Sequence, residues 1–371
     1  MGGVDSGQGE VRQIVDNGIP ARFARGWHCL GLSRHFNDGK VRSLRAFGQE
    51  LSLRTAADGR IHVFNEHCPL AAESSADTGT GHGSPACQVH GAHRFLPDMQ
   101  APCWEVLEQD GLLFVWNDTE GNPPAAAQSI PRICGAGSDE WTDWVWNEMV
   151  VTAQPRDIVD HIVDTASFFY ASSHRPTFFK NVFEDHVATQ YFDGPMRQEY
   201  SRHPLEDALP QIMWTNSVAS YFGPSFMVDE LDYVYETHDQ SAVLINAHYP
   251  VDEHSLVLLS GVIVKRNEEL GRDPHEFAAD QAARILHGFG KDVEIWQKKT
   301  RIDNPLLCEE DGPVYQLRRW YEQFFRNVAD VEPEMTDRFE YEMDTTLPVD
   351  TWQRSLARNL NSRKPTGRQP V

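Results

Sequence analysis

The chain has 371 residues, 40% of them hydrophobic and 11% aromatic, and its 55 acidic against 33 basic side chains give a formal net charge of -22 at pH 7. That length exceeds one small core and allows one large domain or two moderate ones. The acidic excess argues against nucleic acid and anionic membrane as partners, and leaves basic proteins and neutral apolar molecules open. The six cysteines (29, 68, 87, 103, 134 and 308) are scattered, unlike the dense framework of a small secreted disulfide protein. The first ten residues carry neither a basic segment nor an apolar run, and no stretch approaches ~18 apolar residues, so the cytoplasm is the expected location.

From 41 to 120 the pattern is one of short strands and turns. Leu51 to Thr55 alternates, Asp58-Gly59 marks a turn, and Ile61 to Phe64 follows as a second strand. Leu112 to Trp116 reads as a buried strand entered through a turn at Asp110-Gly111. Gly121-Asn-Pro-Pro124 then marks a boundary. The second domain opens near Trp141, with helical periodicity from Asp157 to Tyr170. Strands are expected at 189–192, 233–236 and 256–264, and helices at 274–287 and 314–327. The expected fold class is α+β, divided into a tail (1–20), a small β-rich domain (21–135), a larger α+β domain (136–345) and a C-terminal arm (346–371).

The densest chemistry lies on two loops. Cys68-Pro69-Leu70 and Cys87-Gln88-Val89-His90 offer three metal donors and, at Leu70, a side chain with no lone pair. A Rieske-type [2Fe-2S] centre takes two thiolates on one iron and two imidazoles on the other. Three readings follow: a vestigial loop pair, which leads; a cluster completed by His62, His67, His82 or His93; or a zinc site using Cys68, Cys87, His90 and one further His. The segment from Asp157 to Ser173 has a single imidazole, His161, whose ordinary reading beside Asp157 and Asp160 is an ion pair. His174 is too distant to share a metal with it on one unbroken helix. No P-loop, dinucleotide glycine signature or nucleophile elbow is present, and Trp320 and Tyr321 read as core.

These loops, with residues 176–191 and most fully 300–324, resemble the oxygenase components of the Rieske non-haem iron oxygenases, in particular the 3-ketosteroid 9α-hydroxylase oxygenases. The resemblance covers about residues 20 to 335 and implies a Rieske-like domain followed by a helix-grip-like domain, an antiparallel sheet flanked by helices. The family's first loop reads Cys-x-His, so Leu70 stands at a lost ligand position beside the remnants Cys68, Cys87 and His90. Its iron segment, laid on this chain, places His161, Asp164, Ser167 and Ser172, with the third iron ligand at Asp292. Both iron imidazoles are thus serines, while Asp164, the carboxylate that bridges metal sites between subunits in the family, is kept.

With both redox sites incomplete, the expected function is a catalytically silent or auxiliary subunit of a heteromeric oxygenase acting on a steroid or similar polycycle. It would have no independent activity and no catalytic residue of its own. Its expected partner is a complete oxygenase subunit in a trimer-based hetero-oligomer, with reductase contact through the complex and no nucleic acid or membrane. The expected cofactor is none, with a residual [2Fe-2S] cluster or zinc at Cys68, Cys87 and His90 as the exception. The alternatives are a steroid-binding protein without chemistry and an active oxygenase subunit with altered cluster ligation.

Overall fold

The computed structural model describes residues 20–56, 58–65, 94–96, 99–165, 175–195, 212–236, 238–267, 273–299, 301–302, 304–307, 311–346 and a few positions between 350 and 358. The N-terminal third is built from short antiparallel strands: β1 (Gly26–Leu32), β2 (Arg42–Ala46), β3 (Gln49–Thr55), β4 (Ile61–Asn65), β5 (Arg94–Leu96), β6 (Met99–Cys103), β7 (Val106–Gln109) and β8 (Leu112–Asn117). They pair as β1-β8-β7, β2-β3-β4 and β5-β6. The β7–β8 hairpin closes on Asp110 and Gly111, with φ of 54° and 79°; two left-handed residues match the twist of the strands they join.

The remaining strands are β9 (Val145–Val151), β10 (Phe178–Glu184), β11 (Val187–Pro195), β12 (Ile212–Phe222), β13 (Phe226–Tyr235), β14 (Asp239–Pro250), β15 (Leu256–Val264) and β16 (Phe339–Glu342). They form one eight-stranded sheet in the order β16-β10-β11-β12-β13-β14-β15-β9. Every neighbouring pair is antiparallel. With its helices this is the expected α+β fold. β15 shows why a nine-residue apolar run forms here. Leu259 and Ile263 pack in one core with Trp27 and Phe114 of the N-terminal strands and Phe226 of β13, while Val262 and Val264 face the opposite way onto Phe277 and Ala278. Successive side chains point to opposite faces, so a strand covered on both sides needs apolar residues throughout.

Helix α1 (Ser33–Phe36) is a single turn after β1, and α2 (Pro155–Val159) continues as a 3-10 turn over Asp160–Val163. The helix expected from Asp157 to Tyr170 is therefore interrupted: Asp164 takes φ -80° and ψ 74°, outside the helical region. Helix α3 (Pro274–Trp296) is capped by Asp273, whose carboxylate accepts from the backbone N–H of His275 and Glu276 at 2.8 and 3.2 Å. It runs nine residues past the expected end at His287, so Asp292 lies inside a helix and does not cap a strand. Helix α4 (Val314–Glu322) ends short of the expected Asn327 and tightens into a 3-10 turn over Gln323–Phe325. Its Leu317, Trp320 and Tyr321 are buried, as the sequence predicts. Gly312, just before α4, lies so near the 155–165 segment that an added Cβ would sit 2.2 Å from the Val163 carbonyl oxygen.

The two parts of the chain share a core, and its seam holds two imidazoles. His28 on β1 and His248 on β14 are 1% and 0% exposed. His28 Nε2 lies 3.0 Å from the Ala24 carbonyl, while both ring nitrogens of His248 lack a partner. Burial lowers His28 to about 4; burial, reinforced by repulsion from His28, lowers His248 to about 3. Both values lie below the unfolded value of about 6.5, so the unfolded chain binds more protons between them. Stability from this pair is complete above pH 6.5 and falls as pH drops toward 4. Thermal unfolding between pH 7.5 and 4.5 should show that fall, and His248→Leu should flatten it; an equal slope in the variant would contradict the assignment.

Candidate functional site

Register defines which residues share the inner face of the large sheet. Asn181, Gln190, Ala219, Asp229, Leu244 and Val262 lie in one row across β10 to β15, and Tyr221, Met227, Asn246 and Ser260 in the next. Two coverings lie over this face. At one end α3 packs Phe277, Ala278 and Ala282 onto Leu231, Tyr233, Tyr235, Leu244 and Val264. At the other, Val159, Ile162 and Val163 meet Phe183, Ala188, Tyr221 and the α4 residues Leu317, Trp320 and Tyr321. Ser217, Ala219, Asp229, Asn246 and Ser260 lie on this face as small or polar side chains on β12 to β15, and Ser217 Oγ donates to Asp229 at 2.6 Å.

The 155–165 segment is fixed from both sides. Asn181 Nδ2 and Gln190 Nε2 both donate to the Ile162 carbonyl, at 3.0 and 2.6 Å. On its other side one carboxylate oxygen of Asp160 receives Arg318 Nη2 at 3.0 Å, Arg301 Nη1 at 3.1 Å and Lys299 Nζ at 3.4 Å. Asp157 also meets Arg301, at 3.5 Å. Burial raises the Asp160 carboxyl, but Arg301, Lys299 and Arg318 together outweigh it and hold it below the usual carboxylate range. These partners lie 139 to 158 residues away in sequence, so no local pattern points to the cluster.

The carboxylates that flank His161 are engaged by that cationic cluster, and the His161 ring meets Trp296 edge-on, with centroids 5.8 Å apart. Trp296 lies one helical turn beyond Asp292, so this contact brings the end of α3 to the segment that carries Asp164. Both retained carboxylates of the expected iron set thus sit on elements that meet. Among the described residues, however, no three His, Cys, Asp or Glu side chains converge as a metal site. Cys68, Leu70, Cys87 and His90, the candidate donors His67, His82 and His93, and Ser167, Ser172 and His174 lie outside the described residues.

Of β15, Leu256 and Leu258 pack with Ile158 and Trp296, and Ser260 pairs in register with Asn246. A separate cavity lies at the seam, lined by Phe23, His28, Pro155, Arg156, Pro250 and Phe325, and it contains none of the expected ligand positions. Sequence reasoning missed Asp229 and the Asp160 cluster. For Asp229 the available signal was an acidic residue at an inward position of an alternating strand.

In fold the chain is a Rieske oxygenase. It superposes on dicamba monooxygenase bound to 3,6-dichlorosalicylic acid with a TM-score of 0.58, covering 82% of this chain and 98% of that one; at 15% identity this likeness concerns the fold alone. The chain belongs to the family of 3-ketosteroid-9-alpha-monooxygenase oxygenase components. The family model for the 3-ketosteroid 9alpha-hydroxylase C-terminal domain matches residues 115–325. An oxygenase component of that enzyme from Rhodococcus rhodochrous is 49% identical, over 96% of this chain and 93% of its own length. One from Mycobacterium tuberculosis is 41% identical, over 95% of each. An oxygenase component is one part of a multi-component system and implies a reductase partner. No helix among the described residues is long and apolar enough to cross a membrane.

This membership corrects the expectation that the chain carries no cofactor, because the family's chemistry rests on a Rieske [2Fe-2S] cluster and non-haem iron. The donor sets fit these two groups unequally. Cys68, Cys87 and His90 match three cluster positions in type, and an isobutyl side chain stands at the fourth. At the positions that the resemblance assigns to the iron, Asp292 is a carboxylate, while Ser167 and Ser172 are neutral hydroxyls. Hydroxyls are poor donors to Fe(II) beside imidazole, so the iron set does not fit and no chemical step is assigned to it.

Proposed function

We propose that this chain is an oxygenase-component subunit of a 3-ketosteroid-hydroxylating system that works in a mixed, trimer-based assembly with a complete subunit. The complete subunit carries turnover; this chain supplies assembly surfaces and a ligand-binding face that shapes access to the partner. The observation that carries this reading is the pair of serines, Ser167 and Ser172, in a chain whose sheet, helices and core are otherwise intact. Residues 21–135 form the cluster unit, in which Cys68, Cys87 and His90 would hold a [2Fe-2S] group with one substituted donor, and residues 136–345 form the catalytic-type unit carrying Asp164 and Asp292. Residues 1–20 and 346–371 are its tails, and the assembly is cytoplasmic. Co-expression with a complete oxygenase component tests it: the two chains should co-purify in one complex of fixed stoichiometry. Recovery of this chain only as a homo-oligomer would count against it.

A further inference from the structure

We infer that the cleft at the seam of the two parts of the chain is a ligand site of its own, built for a small apolar 2-hydroxy carboxylate held by Arg156 and His28. The strap 20–24, His28 on β1, the start of α2, the β14–β15 turn and Phe325 surround it. None of its lining residues is a position that the resemblance assigns to the cluster or the iron, so the site stands independently of the function proposed above. The cavity measures about 60 Å³, room for a few water molecules or the polar end of a small ligand. Ala21 and Glu253 on its rim are exposed, so the cleft opens to solvent. The strap is already fixed: Arg22 Nη1 donates to Asn327 Oδ1 at 2.8 Å, and Asn117 Nδ2 to the Ala24 carbonyl at 2.9 Å. A preformed cleft loses little binding free energy to the ordering of its walls.

Two buried polar side chains decide what the polar end must be. Arg156, 9% exposed, brings a guanidinium to a cleft walled by Phe23, Phe325, Pro155 and Pro250. Its five donors let it hold a carboxylate while keeping other partners. His28, 1% exposed, donates Nε2–H to the Ala24 carbonyl at 3.0 Å, because a carbonyl only accepts. Burial outweighs the opposing main-chain contacts of Ala24 and His248 and lowers this imidazole to about 4, so near pH 7 it is neutral and Nδ1 carries a lone pair. That Nδ1 has no hydrogen-bond partner. A buried acceptor left unfilled is costly, and a hydroxyl beside the carboxylate supplies the donor it lacks. The hydrocarbon part of the ligand then lies against the two phenyl rings and the two prolines. Asp252, on the rim, is committed to its own turn: Oδ1 accepts from the N–H of His254 and Ser255 and from the Ser255 hydroxyl, at 2.9, 3.0 and 2.8 Å.

The test is isothermal titration calorimetry of the full-length chain with three probes: mandelate, phenylacetate, which lacks the hydroxyl, and mandelamide, which lacks the charge. Mandelate should bind about fivefold more tightly than phenylacetate and about tenfold or more above mandelamide. Arg156→Gln should remove the preference over mandelamide, and His28→Leu the preference over phenylacetate. Ala21→Trp, at an exposed rim position, should lose mandelate binding by filling the mouth; it guards against an interior variant that fails to fold. Mandelate bound equally by wild type and Ala21→Trp lies outside the cleft and overturns the site. Equal affinity of the wild type for mandelate and phenylacetate overturns the hydroxyl contact with His28. A folded wild type that binds none of the probes has a cleft for water alone, which overturns the inference entirely.

Discussion

Asp160→Ala should destabilise the protein by about 3–5 kcal/mol, because it strands Arg301 and Arg318 in a poorly solvated site. Asp160 is 7% exposed and Arg301 8%, and one carboxylate oxygen serves three cations. An exposed pair would be worth no more than about 1 kcal/mol, so chemical denaturation separates the two cases. The loss should have a pH signature. Asp160 titrates below the unfolded carboxylate value, so its contribution is fully present above that value and disappears as pH falls through the depressed one. Wild type and variant should converge in stability at strongly acidic pH. A gap of less than about 1 kcal/mol at neutral pH would contradict the buried-cluster account. The 155–165 segment hangs on this cluster and on Asn181 and Gln190, so ligand affinity should fall with it.

Leu70→His should raise the iron and acid-labile sulfide content of the purified chain toward about two of each, with stronger absorbance between roughly 400 and 600 nm. The change supplies the one donor type missing from a set that already has two thiolates and an imidazole. Wild type, relying on a substituted donor, should hold its cluster less completely and lose it faster to a chelator. Equal iron, sulfide and absorbance in the two proteins would show that position 70 does not face the cluster.

The large sheet was legible because its strands obey simple alternation or continuous burial. β15 announced itself by an apolar run that only a doubly covered strand requires, and the Asp110-Gly111 hairpin by two residues tolerant of positive φ. Helix ends were less legible. Gly288 and Gly290 argue locally for a stop after His287, yet α3 continues, with Phe277, Ala278 and Ala282 packed on the sheet and Trp296 among Ile158, Leu256 and Leu258. The periodic segment from Asp157 to Tyr170 differs in another way, since within its described residues Asp164 leaves the helical region. The family could be read from the motifs at 176–191 and 300–324. The Ser217–Asp229 hydrogen bond could not, because the two residues come from different strands and meet only through register.

The central claim is that turnover belongs to the partner subunit. Its most direct test is steroid hydroxylation by the purified single chain, supplied with iron, a competent reductase and a 3-ketosteroid, beside the co-expressed mixed assembly. The account predicts product from the mixed assembly and none above background from the single chain. Hydroxylated steroid formed by the single chain would contradict it.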